Sequence, residues 1–196
     1  MELLRANDFR RMPWKNGGGE TFEIAVSPPQ AELDAIDWRI SMAVVAGDGP
    51  FSLFPGVDRT LTILNGAGME LELGAAQASV LLTPESDPFH FPGDIAAEAG
   101  LLAGTITDLN VMSRRNRYRH IVRRIMVRDQ EFITTAADAA AVFCCAGVVD
   151  CSGEGVSHAS LQERDCMLFR APPRELAFIA AAPAMVLLAE FYRTTA

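Results

Sequence analysis

Apolar and polar residues alternate along much of this chain with a period of two, the spacing of a strand with one buried face. Thr21–Val26 sets Phe22, Ile24 and Val26 against Thr21, Glu23 and Ala25. Asp37–Val45 sets Trp38, Ile40, Met42 and Val44 against Arg39, Ser41, Ala43 and Val45. Further strands are expected at Arg59–Leu64, Met69–Leu73, Ala78–Leu82, Ile95–Ala99 and Leu101–Met112. In the second half they are expected at Tyr118–Val127, Ala139–Val149, Ser157–Leu161, Cys166–Arg170, Glu175–Ala180 and Met185–Tyr192. Ser27-Pro28-Pro29 and Gly47-Asp48-Gly49-Pro50 punctuate them, and Asn65-Gly66-Ala67-Gly68 between two strand-like runs predicts a hairpin. Helical periodicity is absent, so the pattern predicts an all-β barrel or sandwich. A change of domain near Ser113-Arg114-Arg115-Asn116 divides the chain into expected halves at 1–113 and 114–196.

Composition narrows the function. With 49% hydrophobic and 21% charged residues, the 196-residue chain can fill a packed interior. A net charge of −8 argues against a nucleic-acid partner, since phosphate binding needs a basic face. No basic n-region leads into an apolar run and no apolar stretch reaches membrane-spanning length, so a cytoplasmic protein with no membrane partner is expected. Seven of the sixteen arginines lie between Arg114 and Arg128. That run is either a docking patch for a regulator or, more simply, a set of cations paired with the excess carboxylates. Cys144, Cys145, Cys151 and Cys166 show no C-x-x-C spacing and are expected to be small buried hydrophobes. His90, His120 and His158 are too widely spaced to announce a metal site.

Three segments carry candidate chemistry. Met12-Pro13-Trp14-Lys15-Asn16-Gly17-Gly18-Gly19 offers an aromatic, a cation and an amide before three glycines. It reads equally as an anion-binding nest or as a tight entry into the Thr21 strand. The segment from Gly47 to Gly66 fits the frame of the first cupin motif, G-x5-H-x-H-x3-E-x6-G, but Leu53, Pro55 and Arg59 occupy the metal-ligand positions. Around Phe89-His90-Phe91-Pro92-Gly93-Asp94 only the turn of the second motif survives, and Ala96 stands where its histidine would be. The sequence therefore looks like a cupin without a metal or other cofactor, its pocket charge reversed by Arg59. A guanidinium inside a barrel must be paired. Asp58 or Asp108 is the structural partner, and a ligand carboxylate, joined by Arg39, is the functional one.

These residues resemble the HutD/Ves family. The resemblance rests on Met12–Glu20 (M-P-W-K-N-G-G-G-E), Asp37–Ala43 (D-W-R-I-S-M-A), Gly49–Gly66 (G-P-F-S-L-F-P-G-V-D-R-T-L-T-I-L-N-G) and Gly104–Met112, most of residues 12–112. It implies a double cupin of two antiparallel β-barrels in one chain. It also implies a non-enzymatic role moderating bacterial histidine utilisation, with a small anionic metabolite such as urocanate or N-formylglutamate as ligand. Arg59 and Arg39 are then expected to hold the acid, with Trp14 and Phe51 walling the pocket and Asn16, Asp108 and Asn110 orienting the ligand. Asp58 and His90 complete the expected ligand-binding set. The rival expectation is a metal-free isomerase or lyase drawing its acid and base from His90, Asp58 and Asp108. A homodimer is a further open expectation.

Overall fold

The computed structural model describes residues 1–15, 17–74 and 78–195. The chain is built from strands, with a single turn of 3-10 helix at Ala6–Asp8 among the described residues. It divides into two compact units, Arg10–Arg119 and Met1–Phe9 with His120–Arg193.

The Arg10–Arg119 unit contains a six-stranded and a four-stranded sheet. The larger runs in the order Arg10–Pro13, Gly19–Ser27, Trp38–Val45, Ile106–Arg114, Val57–Asn65 and Phe89–Pro92. The smaller runs Gly49–Pro50, Ala97–Leu101, Met69–Leu73 and Ala78–Leu82. Every described pairing in both is antiparallel. Leu61, Ile63, Phe91 and Val45 of the larger sheet cluster with Met69, Leu71, Leu82, Ala97 and Ala99 of the smaller. The alternation seen in the sequence is thus a sheet with one face on a core. Its other face is also covered, since Trp38, Ile40, Leu109 and Val111 are buried as well.

The second unit repeats the arrangement. One sheet runs Glu2–Leu4, Cys166–Phe169, Ala139–Ala146, Ala184–Arg193 and Tyr118–Val127. The other runs Gln130–Thr134, Glu175–Ile179, Val149–Gly153 and Val156–Leu161. Val142, Leu188, Phe169, Leu176 and Phe178 centre its core. The N-terminal strand pairs with Cys166–Phe169, so the chain starts in this unit before building the other. Among the described residues the strands form separate sheets rather than closed hydrogen-bonded rings.

The Asn65-Gly66-Ala67-Gly68 segment is not a hairpin. The strands it joins belong to different sheets, and the turn carries the chain from one to the other. Its glycines answer to close approach. A Cβ on Gly66 would lie 2.8 Å from the Thr105 carbonyl, and one on Gly68 would strike the Leu82 carbonyl. Both have positive φ, which a side chain would strain.

Candidate functional site

A cavity of about 530 Å³ opens in the Arg10–Arg119 unit, on the inner face of the larger sheet. Strand register explains its floor. Met112 sits across from Arg39 on one neighbouring strand and Arg59 on the other, and Asn110 sits across from Ser41 and Leu61. Asp108 follows, across from Ala43 and Ile63. With a period of two, Asp108, Asn110 and Met112 share one face, as do Arg39, Ser41 and Ala43. All six line the cavity together with Arg59.

Arg59 is the centre of this floor. It is only 4% exposed, and its guanidinium carbon lies 4.7, 5.4 and 5.3 Å from the ring centroids of Phe51, Phe54 and Phe91. Such distances give favourable cation–π contact. Its one described hydrogen bond is long, Nη1 donating to the Ser52 carbonyl at 3.4 Å. Nε is buried with no partner among the described residues. Among the described residues no carboxylate lies within ion-pair distance of it. Burial pushes the guanidinium down to about 10, with Asp108 opposing that shift and Arg39 adding to it. It still carries its charge at neutral pH.

The other candidates fall into place around it. Arg39 is already paired, its Nε donating to Glu23 Oε2 at 2.8 Å and its Nη1 to Ser41 Oγ at 3.1 Å. Asp108 is buried, and burial pushes its carboxyl up to about 7 against the pull of Arg59. Asn110 also lines the cavity, and its Oδ1 is buried without a partner among the described residues. Phe51 and Trp14 form walls. The Trp14 indole is held by donation from Nε1 to Thr21 Oγ1 at 2.8 Å. Asn16 lies outside the described residues.

Two candidates stand apart from the cavity lining. Asp58 accepts from Arg115 Nε at 2.5 Å, and the same guanidinium forks onto both oxygens of Asp94 at 2.7 Å each. Those hydrogen bonds hold the Asp94 carboxyl well below the usual carboxylate range. His90 Nδ1 meets Thr60 Oγ1 at 3.1 Å, on the opposite side of the strand from Arg59. Two other arginines of the Arg114–Arg128 run also meet carboxylates, and a third meets a backbone carbonyl. Arg117 meets Asp37 at 2.6 Å and Arg123 meets Glu190 at 2.8 Å, while Arg114 donates to the Ile36 carbonyl at 2.9 Å.

The glycine run is a tight entry into its strand. The Gly17 N–H turns back to the Trp14 carbonyl at 3.1 Å, and the Trp14 N–H reaches the Gly19 carbonyl at 3.0 Å. The loop thereby brings Trp14, Lys15 and Gly18 to the cavity.

Sequence reasoning missed Glu23, Ser41, Phe54, Phe91 and Met112. Ser41 and Met112 were available from alternation, being two residues from Arg39 and Asn110. Glu23 becomes a neighbour of Arg39 through pairing of two consecutive strands, and Phe91 a neighbour of Arg59 through pairing of strands that are not consecutive. Phe54 arrives on an irregular loop, for which the sequence carries no periodic signal.

The chain belongs to the HutD family, whose model matches residues 6–188. It is 42% identical to Protein Ves of Citrobacter koseri over 144 residues, 71% of this chain and 72% of that protein. It is 44% identical over 119 residues to an uncharacterised 21.2 kDa protein from the hutC 3' region of Pseudomonas putida, 61% of each. Among solved structures, a conserved protein of unknown function from Pseudomonas aeruginosa PAO1 superposes with a TM-score of 0.91 at 32% identity, covering 97% of this chain and 98% of that one. HutD from Pseudomonas fluorescens SBW25, solved in a formate condition, gives 0.83 at 31% identity over 99% of both chains. A cupin 2 conserved barrel domain protein from Leptotrichia buccalis, at 10% identity, 0.58 and 87% of each chain, shares the fold alone. The Pseudomonas putida relative is named for its position in the hutC 3' region, and the fold of this chain is all-β and cupin-like.

Proposed function

We propose that this chain is a double cupin whose Arg10–Arg119 unit binds a small carboxylate, and that it moderates histidine utilisation in the cytoplasm without catalysing a step. One observation carries the reading. Arg59 is a buried cation that faces a cavity and has no ion-pair partner among the described residues. Leaving a buried charge uncompensated is strongly unfavourable, so the site is built for an incoming anion. The volume suits a metabolite, since small-molecule sites span roughly 300–1,000 Å³. Arg39 is the weaker claimant because Glu23 already neutralises it. It serves better as a rigid wall that keeps Glu23 away from the ligand. Urocanate and N-formylglutamate are the first candidates, and formate, named in the P. fluorescens HutD structure, is the smallest probe of the same group.

A second reading has its own support. Asp108, poised near neutrality beside a cationic pocket, has the character of a general acid or base in an isomerase or lyase. A thermal-shift panel of formate, urocanate, N-formylglutamate and glutamate separates the two when product analysis is run on the same samples. A binder gains about 2.7 kcal/mol at a hundred times its dissociation constant. Stabilisation without turnover is the expected result. Turnover of any panel member transfers the site to the enzyme reading, and an absence of stabilisation by every acid overturns the carboxylate reading.

A further inference from the structure

Among the described residues, the lining of the cavity contains two buried side-chain polar atoms with no partner, Arg59 Nε and Asn110 Oδ1. One is a donor and the other an acceptor, yet they do not satisfy each other. Buried polar atoms are overwhelmingly hydrogen-bonded, and one that is not asks for a group the protein does not itself supply. The two residues lie on adjacent strands in diagonal register, because Arg59 pairs with Met112 and Asn110 pairs with Leu61. Diagonal positions in a sheet are separated by roughly 7–8 Å, a span that the two ends of one small molecule can bridge. The space around them is largely apolar, with Phe51, Phe54 and Met112 at the arginine end.

Resting on the carboxylate reading above, we infer that the cavity selects acids that also carry an N–H or O–H donor, with Arg59 holding the carboxylate and Asn110 Oδ1 accepting from the far donor. An acid lacking that donor seats its carboxylate but leaves Asn110 buried and unpaired. Such a loss costs about 1–3 kcal/mol, roughly tenfold or more in affinity. Asn110 is therefore a specificity-determining residue, distinct in effect from Arg59. Its loss should erase the preference between acids without abolishing binding.

Matched acids test this by calorimetry on the full chain. Urocanate has imidazole N–H where cinnamate has only a phenyl ring, and N-formylglutamate has an amide N–H that glutarate lacks. Wild-type protein is expected to bind the donor-bearing member of a pair about tenfold tighter. Asn110→Leu is expected to bring the two members together by weakening the donor-bearing acid relative to the other. Equal binding within both pairs by wild-type protein overturns the Asn110 assignment and leaves the carboxylate reading intact. Binding of no acid overturns both. Should the leucine variant fail to fold, the wild-type comparison decides alone.

Discussion

At the scale of single residues, the cavity turns on the contrast between two arginines that both sit across from Met112 and have different fates in the fold. Arg39 has its carboxylate in Glu23, and Arg59 has three aromatic rings and an Nε with no partner among the described residues. Arg59→Met keeps the length, removes the charge and removes the unpartnered Nε. Because Arg59 has no ion-pair partner among the described residues, the variant should stay folded while losing carboxylate binding. Arg59→Lys should bind weakly, since it lacks the planar fork. An Arg59→Met protein that unfolds, with ligand affinity unchanged in the folded remainder, would make Arg59 a structural member only. Asp108 adds a pH dependence. An anion beside Arg59 raises the carboxyl further, so binding takes up a proton once the free carboxyl ionises. Affinity should therefore be greatest below about 7 and fall above it, by up to about tenfold per pH unit. Asp108→Asn should flatten that profile in the same titration. The sign for stability follows from the same raised value. The folded state penalises ionised Asp108, so its unfavourable contribution grows from the ordinary carboxylate range to about 7 and is constant beyond.

At the scale of elements, period-two alternation made the strands legible wherever one face of a sheet lies on a core. Val57–Asn65, Met69–Leu73 and Trp38–Val45 match their expected runs to within two residues. Glu2–Leu4, Arg10–Pro13 and Gln130–Thr134 were not visible, because short edge strands alternate over too few residues to show a period. Pairing was not legible at all. Asn-Gly announces a tight turn, but which sheet receives the next strand is set by long-range packing. The same limit hid Glu23 from Arg39 and Phe91 from Arg59. The glycine run shows what a local signal conceals. Gly19 begins its strand with its Cα facing the Val44 carbonyl, and a methyl group there would collide with that carbonyl and press on the Trp14 ring at 3.1 Å. Backbone cannot yield as a flexible side chain can. Gly19→Ala should therefore destabilise the Arg10–Arg119 unit by roughly 2 kcal/mol, within the usual range for steric damage. The chain has two tryptophans, Trp14 and Trp38, both in this unit, so denaturant unfolding followed by tryptophan fluorescence reads it directly. An unchanged midpoint would mean the entry into the strand opens freely and the tight approach has no energetic weight.

At the scale of the whole molecule, the chain begins in one unit, builds the other and returns. Glu2–Leu4 pairs in register with Leu168, Met167 and Cys166, and the segment after it is clamped by Arg5 Nη1 to Asp165 Oδ2 at 2.6 Å and by the Ala6 N–H to Asp165 Oδ1 at 3.1 Å. This strand covers one edge of the five-stranded sheet. An uncovered edge is both a lost set of backbone hydrogen bonds and a template for association. Cys166 reports on it, since it lies directly opposite Leu4 and is fully buried, and burial raises its thiol far above the ordinary range. Cys144 and Cys151 are likewise buried, with thiols pushed up to about 11 and about 12 by burial. All three should react slowly with a thiol reagent in the intact chain, because the thiolate is the reactive form. Removing residues 1–6 should expose the Cys166–Phe169 edge and increase the rate of Cys166 modification by about tenfold or more, an opening free energy lowered by at least 1.4 kcal/mol. The tryptophan-reported midpoint serves as the internal control, because both tryptophans lie in the other unit. A truncated chain whose Cys166 stays as protected as before would show that the sheet holds its edge without the N-terminal strand. A truncated chain that loses the tryptophan transition as well would show that folding of the two units is coupled through this segment.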